Sequence, residues 1–244
     1  MTNLLPEMAE IWQQTLNWKP TVQQQRQFQR LYELILEGNR QLNLTRITDP
    51  QEFWEKHLWD SLRGIAPLLS ANFSPASPTL IDIGTGAGFP GVPVAITLPN
   101  CTITLVDSTR KKITFLDNIL TELALTNAKT LVSRAEEIGQ HSQHRLAYDI
   151  ALIRAVGAAS VCAEYTLPLL KQGGLAIIYR GNWTEDETTV LEKAVSELGG
   201  VIELIEKFTT PLSDSIRHCL YVRKVANTPA NFPRAVGVPS QKPL

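Results

Sequence analysis

Cysteines and long apolar runs are scarce in this sequence, which excludes several classes of protein. The 244 residues include only three cysteines, Cys101, Cys162 and Cys219, and none of them forms a CxxC pair. They therefore predict neither a disulfide framework nor a metal site, and we expect buried thiols in a reducing compartment. No apolar run reaches membrane-spanning length, and the first ten residues lack the order of a signal peptide. We expect a cytoplasmic protein.

An excess of positive charge is also missing. The chain carries 23 Lys and Arg against 24 Asp and Glu, a formal net charge of −1. A protein that grips nucleic acid over its whole surface is basic, so RNA binding would here require a local basic patch. The hydrophobic fraction of 43% is ordinary for a globular protein. The length suits one α/β domain with a small addition.

The stretch TLIDIGTGAGFPGVPVA, residues 79–95, is the most informative in the chain. An apolar run broken only by Asp82 leads into four glycines and then into a predicted helix. A strand, a glycine-rich turn and a helix form the nucleotide-binding corner of an open α/β sheet. Glycine is needed there because the chain turns tightly and the ligand lies against bare backbone.

Two kinds of ligand fit this corner. Gly86 to Gly91 satisfies G-x-G-x-x-G, and Asp107 follows at the distance expected of a ribose-binding carboxylate, as in an NAD-dependent dehydrogenase. Asp82, however, gives acid-x-Gly-x-Gly-x-Gly, which resembles motif I of S-adenosylmethionine (SAM) dependent methyltransferases. A carboxylate suits the cationic groups of SAM and would repel a pyrophosphate. The stretch favours a methyltransferase, with the dehydrogenase as the alternative.

Residues 1–75 are predicted to be helical and carry no strand pattern. Thr21 and Gln24 form a capping-box pair, and Asp49 precedes a proline at a second helix start. His57 lies on the apolar side of that second helix, where we expect a packing role. The Ser- and Pro-rich loop at 72–78 marks a boundary. We therefore divide the chain into a helical region at 1–75, a Rossmann-like domain at 76–225 and a basic, proline-containing tail at 226–244.

From residue 79 the chain alternates strand and helix. Strands are predicted at 79–83, 102–107, 129–133, 148–153, 174–179, 201–208 and 216–224, and helices at 91–98, 110–125, 158–171 and 185–198. The last two strands are too close for a crossover helix and should form an antiparallel hairpin. The predicted fold is α/β: a class I SAM-dependent methyltransferase, Rossmann-like, with a mostly parallel seven-stranded sheet, a C-terminal antiparallel hairpin and an N-terminal helical region.

Ligands of open sheets bind outside the carboxyl ends of the strands, so the residues past each strand are the candidate site. After the first strand we expect Asp82 and the glycine turn at the cofactor, with Phe89 closing over it. Asp107 should accept hydrogen bonds from both ribose hydroxyls. After the third strand, a backbone N–H of Ala135 or Glu136 should meet the adenine edge. The candidate cofactor-binding residues are Asp82, Gly84, Gly86, Phe89, Asp107, Ser108, Thr109, Ala135, Glu136 and Arg154.

The end of the fourth strand, Ile153-Arg154-Ala155, is where class I enzymes place the methyl acceptor. The chain has no Asn/Asp-Pro-Pro-aromatic motif for an exocyclic amine, and none of its cysteines follows proline as in pyrimidine C5 enzymes. An acceptor with a free lone pair, such as guanine N7, needs neither a general base nor a covalent intermediate. We expect Arg154 to position such an acceptor by binding guanine O6 or a phosphate.

A candidate basic patch lies late in the chain, because no Asp or Glu follows Arg217. A basic, proline-containing tail with an aromatic residue is typical of an RNA-contacting extension, and a solubilising terminus is the alternative. The predicted RNA-binding residues are Arg134, Arg217, His218, Arg223, Lys224, Arg234 and Lys242.

Several blocks in order carry a family resemblance over nearly the whole chain. The blocks are Asn43-Leu44-Thr45, His57-Leu58-Trp59-Asp60-Ser61, the stretch from Asp82 to Gly91, Leu105-Val106-Asp107-Ser108, Arg134-Ala135-Glu136-Glu137, Arg154-Ala155, Arg217-His218 and Phe232-Pro233-Arg234. In these blocks the chain resembles the RsmG (GidB) family of bacterial ribosomal RNA methyltransferases. The His-x-x-Asp-Ser block and the Gly-x-Pro-Gly end of the glycine loop are more specific than motif I.

The resemblance implies methylation of guanine N7 at one site in 16S ribosomal RNA, with SAM as the donor. It also implies cofactor contacts at Gly84, Phe89, Ala135, Glu136 and Arg154, and at residues 107–109. The partner would be 16S rRNA or the small ribosomal subunit, without a membrane, and we expect a monomer. The family more often has Lys-Gly where this chain has Arg180-Gly181, and many tails have a second arginine at Ala235. A non-catalytic RNA-binding factor on the same fold stays a further alternative.

Overall fold

In the computed structural model, residues 4–69 and 76–244 are described, so the predicted boundary at 72–78 lies partly outside the described residues. The N-terminal region is helical, as the sequence predicts. Its elements are α1 (Ala9–Leu16), α2 (Val22–Leu42), α3 (Pro50–Phe53), a π-helical turn (Trp54–Trp59), α4 (Asp60–Arg63) and a 3₁₀ turn (Ala66–Leu69). Both predicted helix starts are confirmed: Thr21 and Gln24 form the capping box, and Asp49 accepts from two backbone N–H groups of α3.

These helices share one apolar core with a face of the sheet. Trp12 contacts Trp54 with ring centroids 4.8 Å apart, and both side chains are buried. Leu31 and Ile35 of α2 are buried in the same cluster as Leu80 of the first strand. Burial of so much aromatic surface stabilises the contact, so the helical region is held as part of the sheet's own core.

Seven strands form one sheet in the order β3-β2-β1-β4-β5-β7-β6. The strands are β1 (Thr79–Ile83), β2 (Thr102–Asp107), β3 (Ala128–Val132), β4 (Tyr148–Arg154), β5 (Leu170–Arg180), β6 (Gly200–Thr209) and β7 (Ile216–Lys224). The first five pair in parallel, and β7 is antiparallel to both β5 and β6. The predicted class I fold is confirmed. The order reverses between β1 and β4, where open sheets bind ligands.

Helices cover both faces of the sheet. They are α5 (Gly91–Thr97), α6 (Arg110–Glu122), α7 (Ala135–Gln140), α8 (Ala159–Thr166), α9 (Glu185–Glu197) and α10 (Val238–Gln241), with a 3₁₀ turn at Leu167–Leu169. The buried residues of α5 and α6 join the N-terminal helices on one face, while those of α7, α8 and α9 form the core of the other. The helix predicted to run to residue 171 ends at 166, because Pro168 has no N–H to continue it.

The last twenty residues fold back onto the protein. Phe232 is buried in the core beside α7 and α8. Gly139 of α7 approaches the Pro233 ring so closely that an added Cβ would lie 2.5 Å from it. Short α10 ends this segment next to α8. Within the described ranges, no helix is long and apolar enough to cross a membrane.

Candidate active site

The carboxyl ends of β1, β2 and β3 meet at a cavity of about 180 Å³, which we call the edge pocket. Six residues predicted from the sequence line it: Gly84, Asp107, Ser108, Arg134, Ala135 and Glu136. They come from three strand ends that are far apart in the chain. Parallel pairing of β1 with β2 and of β2 with β3 brings those ends together. Residues predicted from separate strand ends therefore line one cavity.

Glycine at the first strand end leaves room in the turn. Gly84 and Gly86 have φ angles of +69° and +60°, a region that other residues rarely adopt. A Cβ on Gly84 would lie 2.6 Å from the Val156 side chain, whereas a Cβ on Gly86 would meet only a carbonyl oxygen at 3.8 Å. The backbone at Gly86 thus faces open space, which fits a ligand lying against the bare chain.

Asp82 shapes this turn from beneath. Its Oδ2 accepts from the Thr85 hydroxyl at 2.6 Å and from the Gly91 N–H at 2.9 Å. Complete burial raises the pKa of the carboxyl group to about 6, and Oδ1 is buried without a hydrogen-bond partner among the described residues. The side chain is a support of the glycine loop, and its contact with a cofactor stays a prediction.

Asp107 is held at the end of β2 with its oxygens aimed at two backbone donors. Oδ2 accepts from the Gly86 N–H at 3.1 Å, and Oδ1 accepts from the Thr109 N–H at 2.8 Å. Each carboxylate oxygen can accept a second hydrogen bond. The group is therefore preorganised beside the glycine turn, with capacity left for a diol. Thr109 itself precedes α6 as its N-cap.

Glu136 lies in the first turn of α7 and is buried. Its Oε1 accepts from the Tyr165 hydroxyl and from the Gly237 N–H, each at 3.0 Å. Tyr165 and Ser240 also line the edge pocket, and the sequence prediction missed both. No pattern marks them, because one lies inside an apolar helix and the other in a tail without periodicity.

The Phe89 ring does not line the edge pocket, and its predicted contact with the cofactor stays a prediction. The ring is buried in the interface with the N-terminal helices, where it stacks on His57 at 4.4 Å between centroids. Phe53 meets it edge-on at 5.7 Å. The ring therefore packs away from the edge pocket. The packing role expected of His57 is confirmed, and burial lowers the pKa of its imidazole to about 3.

Arg154 follows β4 and reaches across to the N-terminal helices. Its Nη1 donates to the Lys56 carbonyl at 3.0 Å and to Asp60 Oδ2 at 2.9 Å. The next residue, Ala155, has a φ of +57°, an uncommon conformation that clusters at functional sites. The second nitrogen Nη2 of Arg154 has no partner among the described residues, so it is able to donate to an acceptor base.

The predicted RNA-binding residues divide into two groups. Lys224 is wholly buried and donates to the Leu167 carbonyl and the Thr228 hydroxyl, so its predicted contact with RNA is wrong. His218 is also buried, with Nδ1 2.7 Å from the Gly181 carbonyl, and this prediction is wrong for the same reason. Buried side chains cannot reach phosphates.

Of the remaining cations, two are already paired. Arg223 forms a salt bridge with Glu203 at 2.6 Å, and Arg234 forms one with Glu164 at 2.6 Å. Arg217 is partly exposed near Asp60, while Arg134 and Lys242 are exposed. The RNA contacts predicted for Arg134, Arg217, Arg223, Arg234 and Lys242 stay predictions.

All three cysteine thiols are buried and free. Burial raises the pKa of Cys101 to about 11 and that of Cys162 to about 12, and it raises the pKa of Cys219 well above its usual value. Because the thiolate is the reactive form, none of these groups is suited to act as a nucleophile.

Solved methyltransferases share the fold of this chain. A SAM-dependent methyltransferase from Methanosarcina mazei superposes with a TM-score of 0.51 at 14% identity, over 64% of this chain and 96% of its own. TYW2 from M. jannaschii, solved in complex with AdoMet, gives a TM-score of 0.51 at 12% identity, over 67% of this chain and 74% of its own. At these identities the likeness shows the fold alone.

Comparison at the sequence level is much closer. The chain is 86% identical to the ribosomal RNA small subunit methyltransferase G of Nostoc punctiforme, over the full length of both. It is 62% identical to the protein of the same name from Trichodesmium erythraeum, over 99% of this chain and 95% of the relative. The model of the family GidB, rRNA small subunit methyltransferase G, matches residues 24–219. The chain belongs to the GidB family.

Proposed function

We propose that this protein transfers the methyl group of SAM to N7 of a guanine in 16S ribosomal RNA. The observation that carries the proposal is the edge pocket, where the glycine turn, Asp107 and Glu136 converge from three strand ends. Membership of a family of small-subunit rRNA methyltransferases supports both the donor and the substrate. The same membership removes the dehydrogenase alternative. An rRNA substrate also supports a cytoplasmic location.

The residues of the edge pocket fit the adenosine end of SAM. The two oxygens of Asp107, which accept from the Gly86 and Thr109 N–H groups, would also accept hydrogen bonds from the ribose hydroxyls. Ala135 and Glu136 in the first turn of α7 would meet the adenine edge. A cavity of about 180 Å³ is smaller than a pocket for a whole ligand of this size, roughly 300 Å³ or more. The methionine end would therefore lie outside it, along the open backbone at Gly86.

When bound, SAM supplies a methyl group attached to a sulfonium sulfur, and the sulfur becomes a neutral thioether when the methyl group is transferred. The protein then has to align a nucleophile with the methyl–sulfur bond and exclude water. Guanine N7 has a free lone pair, so no proton has to be removed. This agrees with the chemistry of the protein, in which the three cysteines are buried thiols and His57 is a packed, neutral imidazole.

Arg154 would orient the guanine. It is the last residue of β4, and two residues later the Val156 side chain lies against Gly84. Asp60 and the Lys56 carbonyl fix the guanidinium through Nη1, which leaves its other edge for guanine O6 or a neighbouring phosphate. Because the group is held before substrate arrives, little side-chain entropy is lost on binding.

The direct test incubates the protein with SAM and small ribosomal subunits from a strain that lacks this activity. Borohydride and aniline cleave RNA at N7-methylguanosine, so one new cleavage in the 16S rRNA is the expected result. Protein-free 16S rRNA is treated in parallel and shows whether the assembled subunit is required. A reaction without SAM serves as the control.

Two results would contradict the proposal. If SAM binds and methyl groups enter the RNA without aniline cleavage, the acceptor atom is not N7. If RNA binds and no methyl group is transferred, the chain is a non-catalytic RNA-binding protein on this fold. In the second case, replacing Gly86 with valine would leave RNA affinity unchanged.

A further inference from the structure

Residues 226–244, which we call the C-terminal strap, extend beyond the region matched by the family model, which ends at residue 219. The sequence suggested a basic RNA-contacting tail here. The structure instead folds this segment across α7 and α8 and brings its last turn to the edge pocket, where Ser240 forms part of the wall. The strap therefore has a place in the site that its sequence does not indicate.

The first half of the strap is held by hydrogen bonds from two cations, half-buried Arg145 and buried Lys224. The guanidinium of Arg145 donates to the carbonyls of Thr228, Pro229 and Phe232 at 2.9, 3.1 and 2.6 Å. The ammonium of Lys224 donates to the Thr228 hydroxyl at 3.0 Å. These bonds satisfy backbone groups that a free tail would leave to water, so the segment is fixed on the body of the protein.

A second fastening lies at Arg234. Its guanidinium and backbone N–H all donate to the carboxylate of Glu164, with a shortest distance of 2.6 Å. Glu164 is completely buried in α8. A buried carboxylate without a partner is strongly destabilising, so this pair holds the strap in one register. The residues that follow Arg234 are thereby brought to a defined position.

Those following residues contact the pocket carboxylate itself. The Gly237 N–H donates to Glu136 Oε1 at 3.0 Å, and the Tyr165 hydroxyl reaches the same oxygen at 3.0 Å. Ser240 Oγ lies 3.2 Å from the Tyr165 hydroxyl and completes the chain of hydrogen bonds. Both fixed bonds to Glu136 fall on Oε1. Among the described residues Oε2 has no partner, so it is free to accept from a ligand.

We infer that the C-terminal strap is a wall of the cofactor pocket, with Gly237 and Ser240 as positioning residues that hold Glu136 toward the adenine of SAM. The inference rests on the proposed function, because it takes the edge pocket as the adenosine site. An exocyclic amine is a donor, and Glu136 Oε2 is an acceptor in the right place to read it. The strap fixes the orientation of that acceptor before the ligand arrives, which lowers the cost of binding.

The test measures binding of S-adenosylhomocysteine and of 5′-methylthioadenosine by calorimetry. A chain that ends at Val236 keeps the Arg234–Glu164 pair and buried Phe232, and it loses Gly237 and Ser240. We expect both ligands to bind roughly tenfold more weakly or worse, because a hydrogen bond that orients a charged group is lost. Equal losses for the two ligands are expected, since both carry adenosine.

Two full-length variants complete the design. Ser240→Phe would project a large ring from the strap into the cavity. It should also lower the affinity for both ligands at least tenfold, while the unfolding temperature stays unchanged. Gln241→Ala removes an exposed side chain of the same strap and should bind both ligands as the wild type does. In the methyl-transfer assay, the shortened chain should show a raised KM for SAM with kcat at saturation little changed.

The outcomes separate the inference from the proposed function. Wild-type affinity in both the shortened chain and Ser240→Phe, with the full chain binding S-adenosylhomocysteine, would overturn the role of the strap and leave the proposed function intact. Failure of the full chain to bind S-adenosylhomocysteine would overturn both. Loss of binding in Gln241→Ala as well would show that any change in the strap weakens binding, which also contradicts the specific role of Gly237 and Ser240.

Discussion

Two carboxylates at neighbouring strand ends have different roles because their surroundings differ. Asp82 is wholly buried and its pKa is raised to about 6 by burial, while it supports the glycine loop through Thr85 and Gly91. Asp107 lies at the edge of the pocket and keeps acceptor capacity beside its bonds to two backbone N–H groups. The sequence showed both acids, but only the structure shows that Asp107 lines the edge pocket while Asp82 does not. The predicted contact of Asp107 with the ribose stays a prediction.

The role of Asp107 can be tested with a single substitution. Asp107→Ala should weaken S-adenosylhomocysteine binding by about 10- to 100-fold, because hydrogen bonds to a charged group contribute about 1.5 to 3 kcal/mol. Isothermal calorimetry measures the change. Asp117→Ala, which alters an exposed aspartate of α6 bonded to Thr130, is the matched control and should bind normally. Unchanged affinity in Asp107→Ala would remove this carboxylate from the site.

The positions of residues at strand ends were predictable from the sequence, whereas the directions of single side chains were not. The positions of Gly84, Asp107 and Glu136 in one cleft were predictable, because each lies at or soon after the end of a strand that the apolar pattern reveals. Lys224 was predicted to contact RNA, but β7 lies between two other strands, and the Lys224 side chain donates to two buried oxygen acceptors. Phe89 belongs to the glycine loop, and its ring is packed on His57. Such side-chain directions depend on tertiary contacts, which periodicity does not contain.

Among the elements, the π-helical turn at Trp54–Trp59 is placed where the helical region meets the glycine loop. Such turns are rare and often lie at functional sites. Here the turn directs His57 onto the Phe89 ring and Glu55 toward the β6–β7 loop. The sequence predicted the helix start at Asp49, but the apolar pattern does not distinguish the π-helical turn from the α-helix around it.

The buried imidazole in this turn should make the fold sensitive to acid. His57 has a pKa of about 3 in the folded chain, against 6.5 for an unperturbed histidine. Between these values the unfolded chain binds more protons, so stability falls as the pH is lowered. At pH 5 the loss amounts to about 2 kcal/mol relative to neutral pH.

Urea unfolding of the wild type and of His57→Phe at pH 7 and pH 5 measures this effect. Phenylalanine keeps the stack on Phe89 and cannot be protonated, so the variant should lose about 2 kcal/mol less than the wild type over this interval. Asp82, whose pKa is raised, contributes with the opposite sign in both proteins and cancels in the comparison. Equal losses in the two proteins would show that His57 is not the group responsible.

Glu55 joins the π-helical turn to the loop between β6 and β7. Its Oε1 accepts from the N–H groups of Leu212 and Ser213, and its Oε2 accepts from the Ser213 hydroxyl. Glu55→Ala should therefore lower the free energy of unfolding by about 1 to 3 kcal/mol, since the N–H groups lose their acceptor. Glu52→Ala removes an exposed salt bridge to Lys56 one turn earlier and should cost less than about 1 kcal/mol. Similar costs in urea unfolding would contradict this assignment.

For the whole molecule, the distribution of charge decides how RNA can be held. The net charge is −1, and several cations predicted to contact RNA are paired or buried. Arg134 at the rim of the edge pocket and Lys242 at the end of the strap are exposed and without a salt-bridge partner among the described residues. If these two cations make the phosphate contacts, binding of the substrate should depend only weakly on salt.

The salt dependence of binding to small subunits tests this view. Each phosphate contact contributes about 0.7 to 0.9 to the slope of log affinity against log salt. If Arg134 and Lys242 both contact phosphates, the double variant Arg134→Gln with Lys242→Gln should lower the slope by about 1.5. Lys193→Gln, which removes an exposed lysine of α9, should leave the slope unchanged. An unaltered slope in the double variant would mean that the phosphates are contacted elsewhere, and Arg217, partly exposed beside the Asp60–Arg154 pair, would be the next cation to replace.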